Sequence, residues 1–428
     1  MPSTRPTQLP TSNTFASGLW TVRVLVHIFP LLLAVSPVPA PAATAVAPQR
    51  DEEVIEVLPA VTRLRPVLAS NVSASADQSA ATSTARQDIA TARQTGDTRY
   101  WGRAQAVLSP WWDRADAPVD IAVLQATVQQ GRHEFEASRQ VLTAALARAP
   151  GHAQGWLNLA ALERLSARYA QSLAACDAVA RAGAALYAQA CRLETQSLQG
   201  QHAASAQGLT ALIAQARDKD QRAWLLSLLA EAQERAGRDA PATRAYAQSL
   251  AIDADLYTAI AYSDLLLRTG KFARAVQTLQ NSPETDAVLL RRAKAWRTLG
   301  DARWTAARTQ LHERTAELRR RGDNPELHGR ELALIALWLD DDAGGALALA
   351  RRNLLLQREP VDWWVALLCA RQAKDQTALA DISDAIRAAG LQDARLSPYL
   401  AASPETSPKA PSNAPPNAPP KLPSGAAR

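Results

Sequence analysis

The stretch Leu265-Leu-Leu-Arg-Thr-Gly270-Lys-Phe272-Ala-Arg-Ala275-Val-Gln-Thr-Leu279 decides how the rest of the chain is read. An apolar helical run stops at Gly270, the chain turns, and Phe272 opens a second run in which small Ala275 is followed four places on by Leu279. Residues four apart share one face of a helix, so the phrase predicts two helices folded back on each other.

Working outward, the same turn recurs at Gly96, Gly131, Ala167, Gly200, Gly237, Gly270, Gly300, Asp341 and Lys374, at intervals of 30 to 41 residues. Five places after the turn stand Ser172, Ser205, Ala242, Ala275, Thr305 and Ala346, all small. Nine places after it, Leu209, Tyr246 and Leu279 are bulky, while Cys176 and Thr309 are weaker. A small residue lets two helices approach, and a larger one a turn later fills the space beside them. With Ala, Leu, Arg and Gln abundant and aromatics only 5%, the expectation is an all-α chain.

These units resemble tetratricopeptide repeats, whose signature joins a large residue, a Leu and a small residue in the first helix to a small and an aromatic residue in the second. The matching units are Trp156-x-x-Leu159-Ala160 with Tyr169 and Ser172, after Pro150, and Leu226-x-x-Leu229-Ala230 with Ala242 and Tyr246. The resemblance implies an α-solenoid of stacked antiparallel helix hairpins over residues 86–390, about nine in number. One hairpin cannot bury its apolar face alone, so atypical end units are expected as caps.

The ends of the chain differ in composition. Val24 to Val35 is apolar apart from His27 and Pro30, follows Arg5 and Arg23, and precedes Ala40-Pro41-Ala42-Ala43. This predicts a signal peptide over residues 1–42, hence a periplasmic or secreted protein. An uncleaved inner-membrane anchor over residues 19–36 is the alternative, against which Arg23 and Pro30 count, since a span takes about 20 apolar residues. No intrinsic transmembrane span is predicted in the mature chain. Residues 43–85 read as a largely disordered linker because of the Ser/Ala/Thr run from Ala69. Residues 391–428, with Pro415-Pro416 and Pro419-Pro420, read as a disordered tail.

The net charge of +6 is mild for 428 residues and predicts no nucleic-acid surface. Arg319-Arg320-Arg321 before Gly322 and Pro325 reads as the cationic end of a long helix, with a basic docking knob as the other reading. His312-Glu313 lacks the second His of a zinc-protease motif, and no phosphate loop or dinucleotide fingerprint is found. No catalytic, metal or cofactor residues are therefore predicted. Cys176 and Cys191 fall in consecutive helices, which leaves both a disulfide and buried free thiols open.

The resemblance places the binding face on the first helices, which line a concave groove. Counting back from each turn, its N-terminal and middle part holds Arg164, Tyr187, Glu194, Trp224, Glu231, Glu234, Tyr257 and Asp264. Its C-terminal part holds Lys294, Arg297, His328, Glu331, Trp338, Trp364 and Arg371. Aromatics and Arg carry much of the energy at interfaces. The expected function is thus a non-catalytic scaffold of the bacterial cell envelope that holds a protein or peptide segment. An accessory factor for an envelope membrane transporter or enzyme complex is the second reading, and a small hydrolase a remote third.

Overall fold

The computed structural model describes residues 74–400, apart from 321 and 323. The signal peptide expected over residues 1–42 and the Pro-rich stretch from 401 lie outside these residues. Eighteen α-helices, paired as nine hairpins, make up the described chain. The hairpins are α1 (Ala74–Thr95) with α2 (Arg99–Leu108), α3 (Val119–Gly131) with α4 (Phe135–Arg148), and α5 (Ala153–Leu165) with α6 (Tyr169–Arg181). Next come α7 (Ala185–Leu198) with α8 (His202–Gln215), α9 (Lys219–Arg235) with α10 (Asp239–Ile252), and α11 (Leu256–Arg268) with α12 (Phe272–Thr278). The last are α13 (Asp286–Leu299) with α14 (Arg303–Arg320), α15 (Gly329–Trp338) with α16 (Ala343–Leu356), and α17 (Pro360–Gln372) with α18 (Gln376–Ala389).

Local chemistry sets the helix ends. Asp218, Asp255, Thr285, Asp342 and Asp375 each accept an otherwise unpaired backbone N–H at a helix start. Gly96, Ala167, Gly200, Gly237, Gly270, Gly300, Asp341 and Lys374 all adopt the left-handed conformation that ends one helix and aims the next. At the second hairpin that residue is His133, not Gly131, because α3 runs on through Gly131.

The periodic columns become the packing between helices. Ser172, Ser205, Ala242, Ala275 and Ala346 are buried, and so are Cys176, Leu209, Tyr246 and Leu279. The seventh hairpin departs: Thr305 is exposed and Ala307, Leu311 and Thr315 are buried instead. Its second helix starts three residues after Gly300, whereas the second helices around it start two residues after their turns, so its inward face is set further on.

Two boundaries expected from composition are corrected. The linker over 43–85 ends earlier, because α1 starts at Ala74 and buries Ala85, Ile89 and Ala92. The tail does not begin at residue 391: Leu391 and Leu396 are buried in the main core, and the chain is packed through residue 400.

The array curls until its ends meet its middle. Helix α1 packs on α11, and the first turn sits against Thr285. The His133 ring meets the His328 ring edge-on at 5.1 Å, joining the second turn to the eighth hairpin. Arg358 donates its backbone N–H to the Leu165 carbonyl at 2.7 Å. A disulfide joins Cys176 on α6 to Cys191 on α7, tying the third hairpin to the fourth, while Cys369 is a buried free thiol. Among the described residues, no helix is long and apolar enough to cross a membrane.

Candidate binding groove

The first helices α5, α7, α9, α11, α13, α15 and α17 supply most of the residues that line the space inside the curl. Two cavities lie along it. The larger, about 560 Å³, is walled by α9, α11, α13, α15 and α17. It brings together five of the predicted residues: Glu234, Asp264, Lys294, Trp338 and Trp364. The smaller, about 280 Å³, brings together Arg164, Glu194, Glu231 and Tyr257.

Aromatic and apolar side chains form one wall of the larger cavity. The Trp338 and Trp364 rings meet edge-on at 6.4 Å, and Leu267, Leu337, Val361 and Leu368 also line the cavity. The Trp364 indole N–H is buried and has no hydrogen-bond acceptor among the described residues. Most of the charges around the cavity are matched. Arg291 grips Asp264 through two hydrogen bonds of 2.8 Å, and Arg268 reaches both Glu234 and Asp239. Lys294 differs: no carboxylate pairs with it among the described residues, and desolvation, helped by the charge of Arg297, lowers its pKa. A half-buried ammonium lining the same cavity as two indoles suits an acceptor carried on an apolar body.

The smaller cavity is acidic and hydrogen-bonded. Arg164 pairs with Glu194 at 2.7 Å, and Arg235 with Glu231 at 3.3 Å. The Tyr257 hydroxyl donates to Glu231 at 2.9 Å, although the ring is 59% exposed and open to a partner. Burial, reinforced by Glu194 and opposed by Arg235, raises the Glu231 pKa. Glu359 closes this cavity and is tied to Arg330 at 2.5 Å.

The remaining predicted residues lie outside both cavities. Tyr187 and Trp224 pack against each other at 5.5 Å, filling space between α7 and α9. Arg297 is held by the Trp338 carbonyl and Asp341, and its guanidinium covers the Trp304 ring. His328 faces His133. Arg371 donates to the Pro398 carbonyl at 2.6 Å and covers the Tyr399 ring.

Sequence reading missed Arg235, Arg268, Glu359, Arg395 and Tyr399, all of which wall a cavity. Arg235 and Arg268 end their first helices, one residue beyond the groove positions counted from the turn. Arg395 and Tyr399 fall in the segment expected to be disordered, where Leu391, Leu396 and Tyr399 are large apolar residues but follow no helical or strand period.

Nine stacked hairpins with buried small-residue columns, left-handed turns and first helices on the inner face make this chain a tetratricopeptide-like α-solenoid. No family model matches the chain, and no curated protein matches it. Among solved structures it is similar to the Rap protein complexed with competence and sporulation factor, at 12% identity and a TM-score of 0.45, over 68% of this chain and 86% of that one. A tetratricopeptide repeat protein from Parabacteroides merdae is 14% identical with a TM-score of 0.37, over 59% of this chain and 99% of that one. Pseudomonas aeruginosa pilF is 15% identical with a TM-score of 0.29, over 56% and 93%.

Proposed function

We propose that the chain is a non-catalytic scaffold of the cell envelope that holds a protein or peptide segment in its concave groove. The observation that carries this reading is the larger cavity, where the Trp338 and Trp364 rings and the unpaired Lys294 face one space. Indole surfaces bury much area at little entropic cost, and a desolvated cation adds direction. The envelope location is supported by the apolar segment after Arg23 and by the Cys176–Cys191 bridge, since disulfides persist in oxidising compartments.

Two experiments test it. A fusion of residues 1–60 to a reporter active only outside the cytoplasm is expected to be active; an inactive fusion contradicts the envelope assignment. Affinity capture from envelope extract with the wild-type chain and with Trp364→Ala is expected to return a partner that the variant loses while keeping its helix content. A partner held equally by both places binding elsewhere.

A further inference from the structure

Residues Leu391–Leu400 leave α18 at left-handed Gly390 and run across the open ends of α7 and α9. A helix leaves its last carbonyls without intrahelical partners. Here Gln392 donates its backbone N–H to the Leu198 carbonyl and Ala394 donates to the Arg235 carbonyl, both at 2.8 Å. Gln392 and Ala394 are alternate residues, whose amides point the same way in extended chain. The docking is therefore read through the backbone: Gln392 forms an isolated parallel bridge with Gln199, after which the chain turns from Ala394 to Tyr399.

Side chains add selectivity. Arg395 is held by Asp393 at 2.5 Å and reaches buried Glu234 at 3.4 Å. Leu396 is 1% exposed, and the Tyr399 ring lies 5.0 Å from the Arg371 guanidinium. Two predicted groove residues, Glu234 and Arg371, are thus already engaged by the chain itself. Arg395 and Tyr399 also form a wall of the 560 Å³ cavity.

The turns beneath this segment are shaped for it. A Cβ at Gly200 would stand 2.1 Å from Gln392 Oε1, and one at Gly237 would stand 3.1 Å from the Ala394 Cβ. At Gly270 and Gly300, which share the same backbone conformation, a Cβ would meet nothing within 4 Å. Glycine at 237 therefore leaves room for the Leu391–Leu400 segment as well as permitting the turn, and glycine at 200 leaves room for the end of the Gln392 side chain.

We propose that Leu391–Leu400 is a tethered occupant of the groove, and that the partner displacing it is a protein segment of the same chemistry, extended where it meets α7 and turned beyond. Such a partner brings alternate amides to the Leu198 and Arg235 carbonyls, a cation to Glu234 and an aromatic ring to Arg371. This rests on the groove reading above. A tethered segment competes at an effective concentration of the order of millimolar, so an outside segment of modest affinity is weakened about tenfold or more.

The test uses the full chain and a fluorescent peptide of sequence LQDARLSPYL. The peptide is expected to bind the Ala394→Pro/Arg395→Glu double variant about tenfold more tightly than wild type. In wild type, excess peptide is expected to speed hydrogen exchange at the Gln392 and Ala394 amides. No gain in a variant with wild-type helix content, or no acceleration of exchange, overturns the proposal. If the double variant does not fold, the wild-type exchange measurement alone decides. Should the peptide fail while Trp364→Ala still loses the captured partner, the tethered occupant is wrong and the groove stands; if both fail, the groove reading falls too.

Discussion

The backbone N–H of Ala394 meets the carbonyl of Arg235 at 2.8 Å, directly beside the turn where Gly237 takes a left-handed φ of 71°. At Gly270, with a φ of 73°, no described atom lies within 4 Å of where a Cβ would stand. Adding a Cβ in the left-handed region costs about 1–2 kcal/mol by itself. Gly270→Ala is expected to lose about that amount, and Gly237→Ala more, because its Cβ also presses on the Ala394 Cβ; at Gly200 the obstructing atoms are the end of the flexible Gln392 side chain, which can swing away, so little extra loss is expected there. Denaturation midpoints of the three variants check this, and equal losses at 237 and 270 contradict a close clasp.

Glu234 is 3% exposed and accepts from the Tyr246 hydroxyl at 3.1 Å while facing Arg268 and Arg395. Removing one member of a buried charge cluster leaves the others uncompensated, at about 3–5 kcal/mol. Glu234→Ala is therefore expected to be strongly destabilised. Arg395→Ala is expected to be destabilised to a similar degree: Glu234 keeps Arg268 and Tyr246, but Asp393, whose side chain is 0% exposed, loses its cation. Urea titration of both variants checks this; wild-type stability of either would contradict it.

The Cys176–Cys191 bridge spans a sequence separation of 15, a loop whose closure stabilises the fold by about 3 kcal/mol in the chain-entropy treatment. A reductant, or Cys176→Ser with Cys191→Ser, should lower the melting temperature accordingly. Burial pushes the Cys369 thiol up to about 12, so it should resist alkylation in the native state. Thiol counting by mass spectrometry is expected to find no labelling when native and three labelled cysteines after reduction and unfolding.

His133 gives the fold a pH dependence. Desolvation, together with the neighbouring His328, lowers its pKa from 6.5 to about 4. The unfolded chain therefore binds a proton before the folded one does, so this contribution is complete above pH 6.5 and declines as pH falls towards 4. His133→Asn, which tolerates a positive φ, should flatten that decline. Chemical denaturation at pH 7.5 and pH 5 measures it. Asp253 acts in the opposite sense: burial, with Asp255 and Asp220 nearby, raises its carboxyl to about 6, so its contribution is lost as pH rises through that value.

The fold was legible where chemistry is local and repeated. Eight turn residues read from the sequence sit in the left-handed conformation, because Gly, or a residue forced into its place, ends each first helix. Gly131 misled because glycine also fits the close approach of Trp101, whose ring lies within 2.5 Å of where a Cβ would stand. Helix α1 was hidden by its Ser/Thr-rich start, although Ala85, Ile89 and Ala92 carry a helical stripe. The groove was legible in part: five of its residues share one cavity, yet Tyr187 and Trp224 fill a seam between helices instead. The segment at Leu391 could not be found by periodicity, because its partners Leu198, Arg235 and Glu234 lie more than a hundred residues away. Composition registered only the prolines beyond it.

The concave face can be tested directly in cells by photo-crosslinking. A photoreactive residue is placed in turn at Lys294, in the larger cavity, and at Arg181, exposed on second helix α6. Partner binding in the groove predicts a discrete crosslinked product from position 294 that is absent at 181 and reduced by Trp364→Ala. A product from 181 with none from 294 would contradict the groove as the working surface of this solenoid.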